Sequence, residues 1–184
     1  MSSTIEAKIK KIKLLIFDID GVLADGSIIL GSGGGEYKIF DVQDGLGITL
    51  ARRAGLKVGI ITGRKSEAVE RRASELKIDA IYQSAFIKIR AFRRMLAELN
   101  VNEEAVCYVG DDLLDIPVMK RAGFAVAVPA AREEVINLAD YVTLAPGGKG
   151  AVREVVELIL KTQGRYSETV QELLKETEEQ PEEV

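Results

Sequence analysis

Lys13–Gly26 reads KLLIFDIDGVLADG. Four apolar residues, Leu14 to Phe17, run without a break into Asp18, Ile19, Asp20 and Gly21. A short continuous apolar run is the pattern of a strand buried on both faces, as in a parallel sheet. The two carboxylates fall just past its end, at the edge of an open α/β sheet where ligands bind. On extended backbone, residues two apart share a face. Two carboxylates on one face repel, so one must hold a proton or both must meet a cation. Phosphoryl transfer uses such a pair. An ionised Asp attacks phosphorus and forms an aspartyl-phosphate. Its neighbour protonates the leaving oxygen and then takes a proton from water. Taken alone, the pair also fits a solvated acidic turn after a strand, and the rest of the chain decides between them.

The chain has 184 residues, enough for one domain with a substantial core. Its net charge of −4 gives no general attraction to nucleic acid or an anionic membrane. No apolar run approaches the roughly 18 residues of a membrane span. The start, MSSTIEAKIKKIK, has no apolar stretch followed by a small-residue cleavage site, so a cytoplasmic protein is expected. Cys107, the one cysteine, allows no internal disulfide and sits in the apolar run Ala105–Val109, where it reads as core. The chain has no histidine. That excludes Ser-His and Cys-His triads and His-ligated zinc. A metal here is expected to be a hard cation held by oxygen, with magnesium the natural choice.

Outward from the first strand, Ser27–Leu30 and Glu36–Phe40 flank a glycine-rich turn and predict a β-hairpin inserted before the first helix. The polar stretch Asp41–Gly45 follows, in which Asp41 or Asp44 caps a helix over Leu46–Ala54. Further strands are predicted at Lys57–Ile61, Ala80–Tyr82, Ala105–Val109, Phe124–Val128 and Tyr141–Leu144. Helices are predicted at Ser66–Leu76, Ile87–Leu99, Ile116–Ala122 and Ala151–Lys161. This alternation implies an α/β fold, a doubly wound parallel sheet with a hairpin insertion after the first strand and no cap domain. The domain is expected over residues 8–162. Residues 163–184 end in KETEEQPEEV and read as an acidic tail, flexible or loosely helical.

Four strand ends then carry polar groups of one kind: Asp18 and Asp20, Thr62, Lys88 just beyond the third strand, and Asp111, Asp112 and Asp115 after the fourth. In a parallel sheet these share an edge. Thr62 and Lys88 can bind phosphate oxygens, and Asp111 with Asp18 can hold magnesium. DIDGV, IITGR, Lys88 and GDDLLD resemble the four motifs of the haloacid dehalogenase-like phosphatase superfamily, over Ile12 to about Leu160. The resemblance implies Asp18 as nucleophile, Asp20 as acid/base, and magnesium held by Asp18, the Asp20 carbonyl and Asp111. DGVLADG, the hairpin, DVQDG, ITGRKSE, GDDLLDIPVM and GGKGAVREV are more closely similar to the 3-deoxy-D-manno-octulosonate 8-phosphate phosphatases. That similarity implies a capless homotetramer in which hairpins pack together and neighbouring subunits cover each site. It also implies a sugar acid phosphate held by Asp20, Asp41, Val42, Gln43, Asp44, Gly45, Arg64, Arg72 and Lys88. Thr49 stands where some members have a substrate-contacting Arg.

Three other readings compete. A response-regulator receiver shares the architecture, but its accepting Asp follows strand three, and here that strand ends in Tyr82-Gln83-Ser84. A non-catalytic interaction module keeping the fold has no need of Asp18, Asp20, Lys88 and Asp111 together. A phosphatase for a nine-carbon sugar acid 9-phosphate differs only in pocket residues such as Arg64, whose guanidinium suits a substrate carboxylate.

Overall fold

A strand of four fully buried residues carries the sheet. The computed structural model describes residues 3–179. The chain runs through α1 (Ser3–Lys10), β1 (Leu14–Phe17), β2 (Ile29–Leu30), β3 (Glu36–Tyr37), α2 (Val42–Arg53) and β4 (Lys57–Ile61). It continues through α3 (Glu67–Glu75), β5 (Ala80–Tyr82), α4 (Lys88–Leu99), β6 (Val106–Gly110), α5 (Ile116–Met119) and β7 (Phe124–Ala127). The last elements are α6 (Glu133–Ile136), β8 (Tyr141–Val142), α7 (Ala151–Thr162) and α8 (Tyr166–Glu179). Six strands form one sheet in the order β5-β4-β1-β6-β7-β8, every neighbouring pair parallel. β1 is central because its apolar run lacks the polar alternation that an exposed face would need. β2 and β3 form a separate antiparallel hairpin.

The twofold repeat of the strand sorts the side chains into two cores. Leu15 and Phe17 join Val58, Ile60, Cys107 and Val109 against α2, α3 and α7. Leu14 and Ile16 join Ile61, Val106 and Tyr108 against α4 and α5. Burying each large apolar side chain stabilises the fold by roughly 1.5–3 kcal/mol. Asp18, next in the series after Leu14 and Ile16, is thereby aimed at the α4 side, where Lys88 begins its helix.

The helix predicted from Leu46 starts four residues earlier. Asp41 is its N-cap and accepts from the Gln43 and Asp44 amides at 2.6 and 3.3 Å. Asp44 caps a different helix. It is buried, and its two oxygens accept from Gly150 N at 3.2 Å and Arg153 N at 2.8 Å, at the start of α7. Gly150 precedes α7 and has no side chain to cap it, so Asp44 meets that need from across the α2–α7 contact.

Several expectations are corrected. The hairpin strands have two residues each, shorter than predicted. α5 has four residues and does not reach Ala122. α1 and α6 had no counterpart in the pattern reading. Within the segment after residue 162, expected to be flexible or loosely helical, Tyr166–Glu179 forms the helix α8. Tyr166, Val170 and Leu173 recur every three or four residues and pack on the core. Arg53 grips Glu176 with Nη1 and Nη2, at 2.6 and 2.5 Å. The rest of the predicted tail, residues 180–184, lies outside the described residues.

Replacing Asp44 with Ala takes the acceptor from two part-buried amide donors and is expected to lower unfolding free energy by about 1–3 kcal/mol, measured by chemical denaturation. If the Asp44 carboxylate served mainly to hold ligand, stability would stay unchanged.

Candidate active site

Asp18 is held at the C-terminal end of β1 by its own amide, which donates to Val109 O at 3.1 Å. Its Oδ1 accepts from Ile19 N at 2.7 Å, and its Oδ2 lies 2.6 Å from Lys88 Nζ. Lys88 is buried at the first turn of α4, and its ammonium bridges Asp18 Oδ2 and Asp115 Oδ1, each at 2.6 Å. Burial pulls the Lys88 value down, but the charges and hydrogen bonds of Asp18 and Asp115 outweigh it and hold it above the ordinary lysine value.

Asp115 organises the loop after β6. It is fully buried; Oδ1 accepts from Tyr108 Oη at 2.6 Å as well as from Lys88, and Oδ2 accepts from the Asp111 and Asp112 amides at 3.1 and 3.2 Å. Two glycines make room for this packing. A Cβ on Gly110 would stand 2.6 Å from the Asp115 side chain. Gly21 has φ +87°, and a Cβ there would come within 2.1 Å of Asp111 Oδ2.

Asp18, Asp111 and Asp115 each present a carboxylate oxygen within 4.8 Å of the others. Among the described residues, the buried Asp111 Oδ1 has no hydrogen-bond partner. Burial, then the charges of Asp18 and Asp115, push the Asp111 carboxyl up to about 7. Burial pushes Asp18 up to about 6, with Lys88 opposing it and Asp115 reinforcing it. Asp115 is already engaged by four donors, so Asp18 and Asp111 are the pair with acceptor capacity left. An all-oxygen set with an unpartnered buried oxygen fits a hard divalent cation such as magnesium.

The Asp20 carboxylate lies outside this cluster; the metal role expected for Asp20 concerned its carbonyl. Its Oδ1 is bonded to Lys38 Nζ, and its Oδ2 is 3.9 Å from Arg64 Nε. Thr62 is buried at the end of β4, its carbonyl accepting from Ala85 N at 3.0 Å. Arg64 donates to Glu36 at 2.6 Å. Arg72, Asp41 and Gly45 line a separate small cavity with Ile19, Leu23 and Phe40. Val42 and Gln43 are exposed, whereas the buried Asp44 carboxylate is turned to the start of α7. Thr49 donates to Gly45 O at 3.1 Å within its own helix. The pattern reading had no place for Lys38, Glu36 or Tyr108. For Tyr108 a signal existed: it sits two residues before Gly110, in step with the α4-facing positions of β6.

The haloacid dehalogenase-like hydrolase family profile matches residues 80–155. The 3-deoxy-D-manno-octulosonate 8-phosphate phosphatase of Escherichia coli strain K12 is 48% identical over 168 residues, 91% of this chain and 89% of that enzyme. The crystal structure of the Moraxella catarrhalis 3-deoxy-D-manno-octulosonate 8-phosphate phosphatase in complex with magnesium, phosphate and KDO superposes with a TM-score of 0.91. It is 42% identical and covers 94% of this chain and 99% of that one. The cobalt-bound Haemophilus influenzae phosphatase gives a TM-score of 0.84 at 37% identity, covering 87% of this chain and 94% of that one. Buried strand-end carboxylates, the lysine between them and identity across nearly the whole length converge. The chain belongs to the haloacid dehalogenase-like hydrolases, within the family of 3-deoxy-D-manno-octulosonate 8-phosphate phosphatases.

Proposed function

We propose that the chain is a cytoplasmic, homotetrameric phosphatase that hydrolyses 3-deoxy-D-manno-octulosonate 8-phosphate to the sugar acid and phosphate, a step in making a lipopolysaccharide precursor. The observation that carries the chemistry is Asp18, buried and paired with Lys88 beside the unpartnered Asp111 oxygen. The 48% identity carries the substrate.

Asp18 attacks phosphorus and becomes an aspartyl-phosphate as the bond to the sugar oxygen breaks. Asp20, beyond the cluster on the Lys38 side, gives its proton to that leaving oxygen. It then takes one from the water that cleaves the acyl-phosphate. Lys88 and Thr62 bind the peripheral phosphate oxygens, where charge must be stabilised. Asp18, Asp111 and the Asp20 carbonyl would hold magnesium, which would supply positive charge against the phosphate and the crowded carboxylates. Arg64 and the Asp41–Gln43 turn take the sugar acid, with Arg72 at its margin. A nine-carbon sugar acid 9-phosphate is the second reading. It rests on Thr49, whose hydroxyl bonds its own helix and offers a substrate no charge. Phosphate release from the two sugar acid phosphates, compared by kcat/KM with magnesium present, separates them. Equal release from every phosphate ester tried would remove the biosynthetic assignment.

The assembly reading rests on exposed apolar side chains of the hairpin. Ile28, Ile29, Leu30, Tyr37 and Ile39 all face solvent in the single chain, more than an edge hairpin sustains in water. A closed symmetric oligomer would bury them and wall the neighbouring sites.

Three outcomes are expected. Asp18→Asn keeps the fold and brings kcat below about 1% of wild type; greater residual turnover would indicate direct attack by water. The metal is checked by thermal unfolding. With unfolded Asp near 3.9, Asp18 at about 6 and Asp111 at about 7 hold protons that the unfolded chain has released. Stability of the metal-free protein therefore falls as pH rises from about 4 to 7, and magnesium raises Tm more at pH 8 than at pH 5. Replacing Ile28 and Leu30 with Glu dissociates the oligomer in sedimentation and raises apparent KM together; a fully active monomer would refute the shared site.

A further inference from the structure

Lys38 follows β3 and turns its side chain back toward the ends of β1 and β4. That side chain is 1% exposed, whereas a lysine ordinarily keeps its head in water. Its Nζ bonds Asp20 Oδ1 and lies 3.2 Å from Glu36 Oε1. Glu36 receives Arg64 Nη2 at 2.6 Å, and Arg64 Nε stands 3.9 Å from Asp20 Oδ2. Two carboxylates and two cations thus alternate around a closed ring. The Arg64 hydrogen bond, followed by Lys38, holds the Glu36 carboxyl below its usual range, so Glu36 is a fixed negative charge for Lys38 to lean on.

The ring has a chemical consequence. A desolvated ammonium persists only where carboxylates compensate it, and removing one member leaves the others unpaired. The hairpin otherwise leaves its apolar side chains in solvent, so the ring is its polar tie to the strand ends. The residue at the end of that tie is Asp20. A proton-transfer group must stand within hydrogen-bond reach of the reacting oxygen, and displacement by about 1 Å can cost roughly 10²-fold in rate.

We propose that Lys38 is a positioning residue for Asp20: the hairpin ammonium grips Oδ1 and so fixes where Oδ2 exchanges its proton with the leaving oxygen and with water. Glu36 and Arg64 hold Lys38 in place from the far side. Lys38 acts through Asp20, not on the phosphate, which Lys88 and Thr62 serve. The proposal deepens the phosphatase reading and rests on it.

The test compares 3-deoxy-D-manno-octulosonate 8-phosphate, an alkyl ester whose leaving oxygen needs a proton, with p-nitrophenyl phosphate, whose leaving group needs little help. Lys38→Met is expected to lower kcat on the sugar ester by about 10²-fold, with KM nearly unchanged. On the aryl ester the loss should be at least roughly tenfold smaller. In an Asp20→Asn background the Lys38→Met change should add nothing on either ester. If Lys38→Met unfolds by circular dichroism, Lys38→Arg takes its place. That variant keeps the charge but moves the donor, and the same ester-dependent loss is expected in smaller measure. Equal losses on both esters, full additivity with Asp20→Asn, or a rise in KM at constant kcat would each overturn the positioning role. Absence of phosphate release by the wild-type protein from both esters would instead remove the phosphatase reading, and this proposal with it.

Discussion

The Lys88 ammonium, clamped 2.6 Å from both Asp18 and Asp115, is the contact on which the site depends. Three carboxylates (Asp18, Asp111 and Asp115) meet one ammonium in a buried space. Fully ionised, that set sums to −3 + 1 = −2, a charge that a low-dielectric interior does not hold without a counter-ion. Lys88 removes part of the strain permanently, and a divalent cation removes the remainder when bound. The rest of the local architecture follows from keeping this set together. Gly110 gives Asp115 room, Gly21 gives Asp111 room, and Tyr108 donates to the same Asp115 oxygen as Lys88. Deleting one partner of such a buried pair typically costs about 3–5 kcal/mol, because the other charge is left uncompensated. Lys88 therefore holds the fold together at the strand ends, whatever else it does there.

The fold was legible because its cause is local. The unbroken run Leu14–Phe17 admits one reading once strand and helix alternate after it, and the polar groups at four strand ends mark the edge that carries the site. Asp18 and Lys88 meet as the strand parity requires. What stayed hidden is what depends on partners distant in sequence. Asp44 looked like a helix cap for its own segment and is one for a segment 106 residues later. The last helix was read as an acidic tail, flexible or loosely helical, because its charges dominate its composition. Tyr166, Val170 and Leu173 are few, but they fall on one face, and one face is enough when a core is waiting for it.

Lys38 was invisible for a related reason. In the sequence it is one polar position in a short hairpin next to a glycine-rich turn. Only the folded chain carries it to Asp20, across 18 residues. Arg64, taken from the resemblance as a group for the sugar acid, already has Glu36 as a partner. Any carboxylate reaching Arg64 would compete with an internal one, and through Glu36 the hairpin is tied to the end of β4 as well as to Asp20.

The lone thiol offers a different use of the same scaffold. Cys107 lies in β6, four residues before Asp111, fully covered by the α2 and α7 side of the core, and burial raises its value well beyond an ordinary thiol. A thiol so placed is unreactive while the sheet stays closed. Labelling by a thiol reagent therefore clocks the opening of the strand that leads into Asp111, with no engineered probe and no second cysteine to confuse the count. The native chain carries its own reporter of how often its centre comes apart.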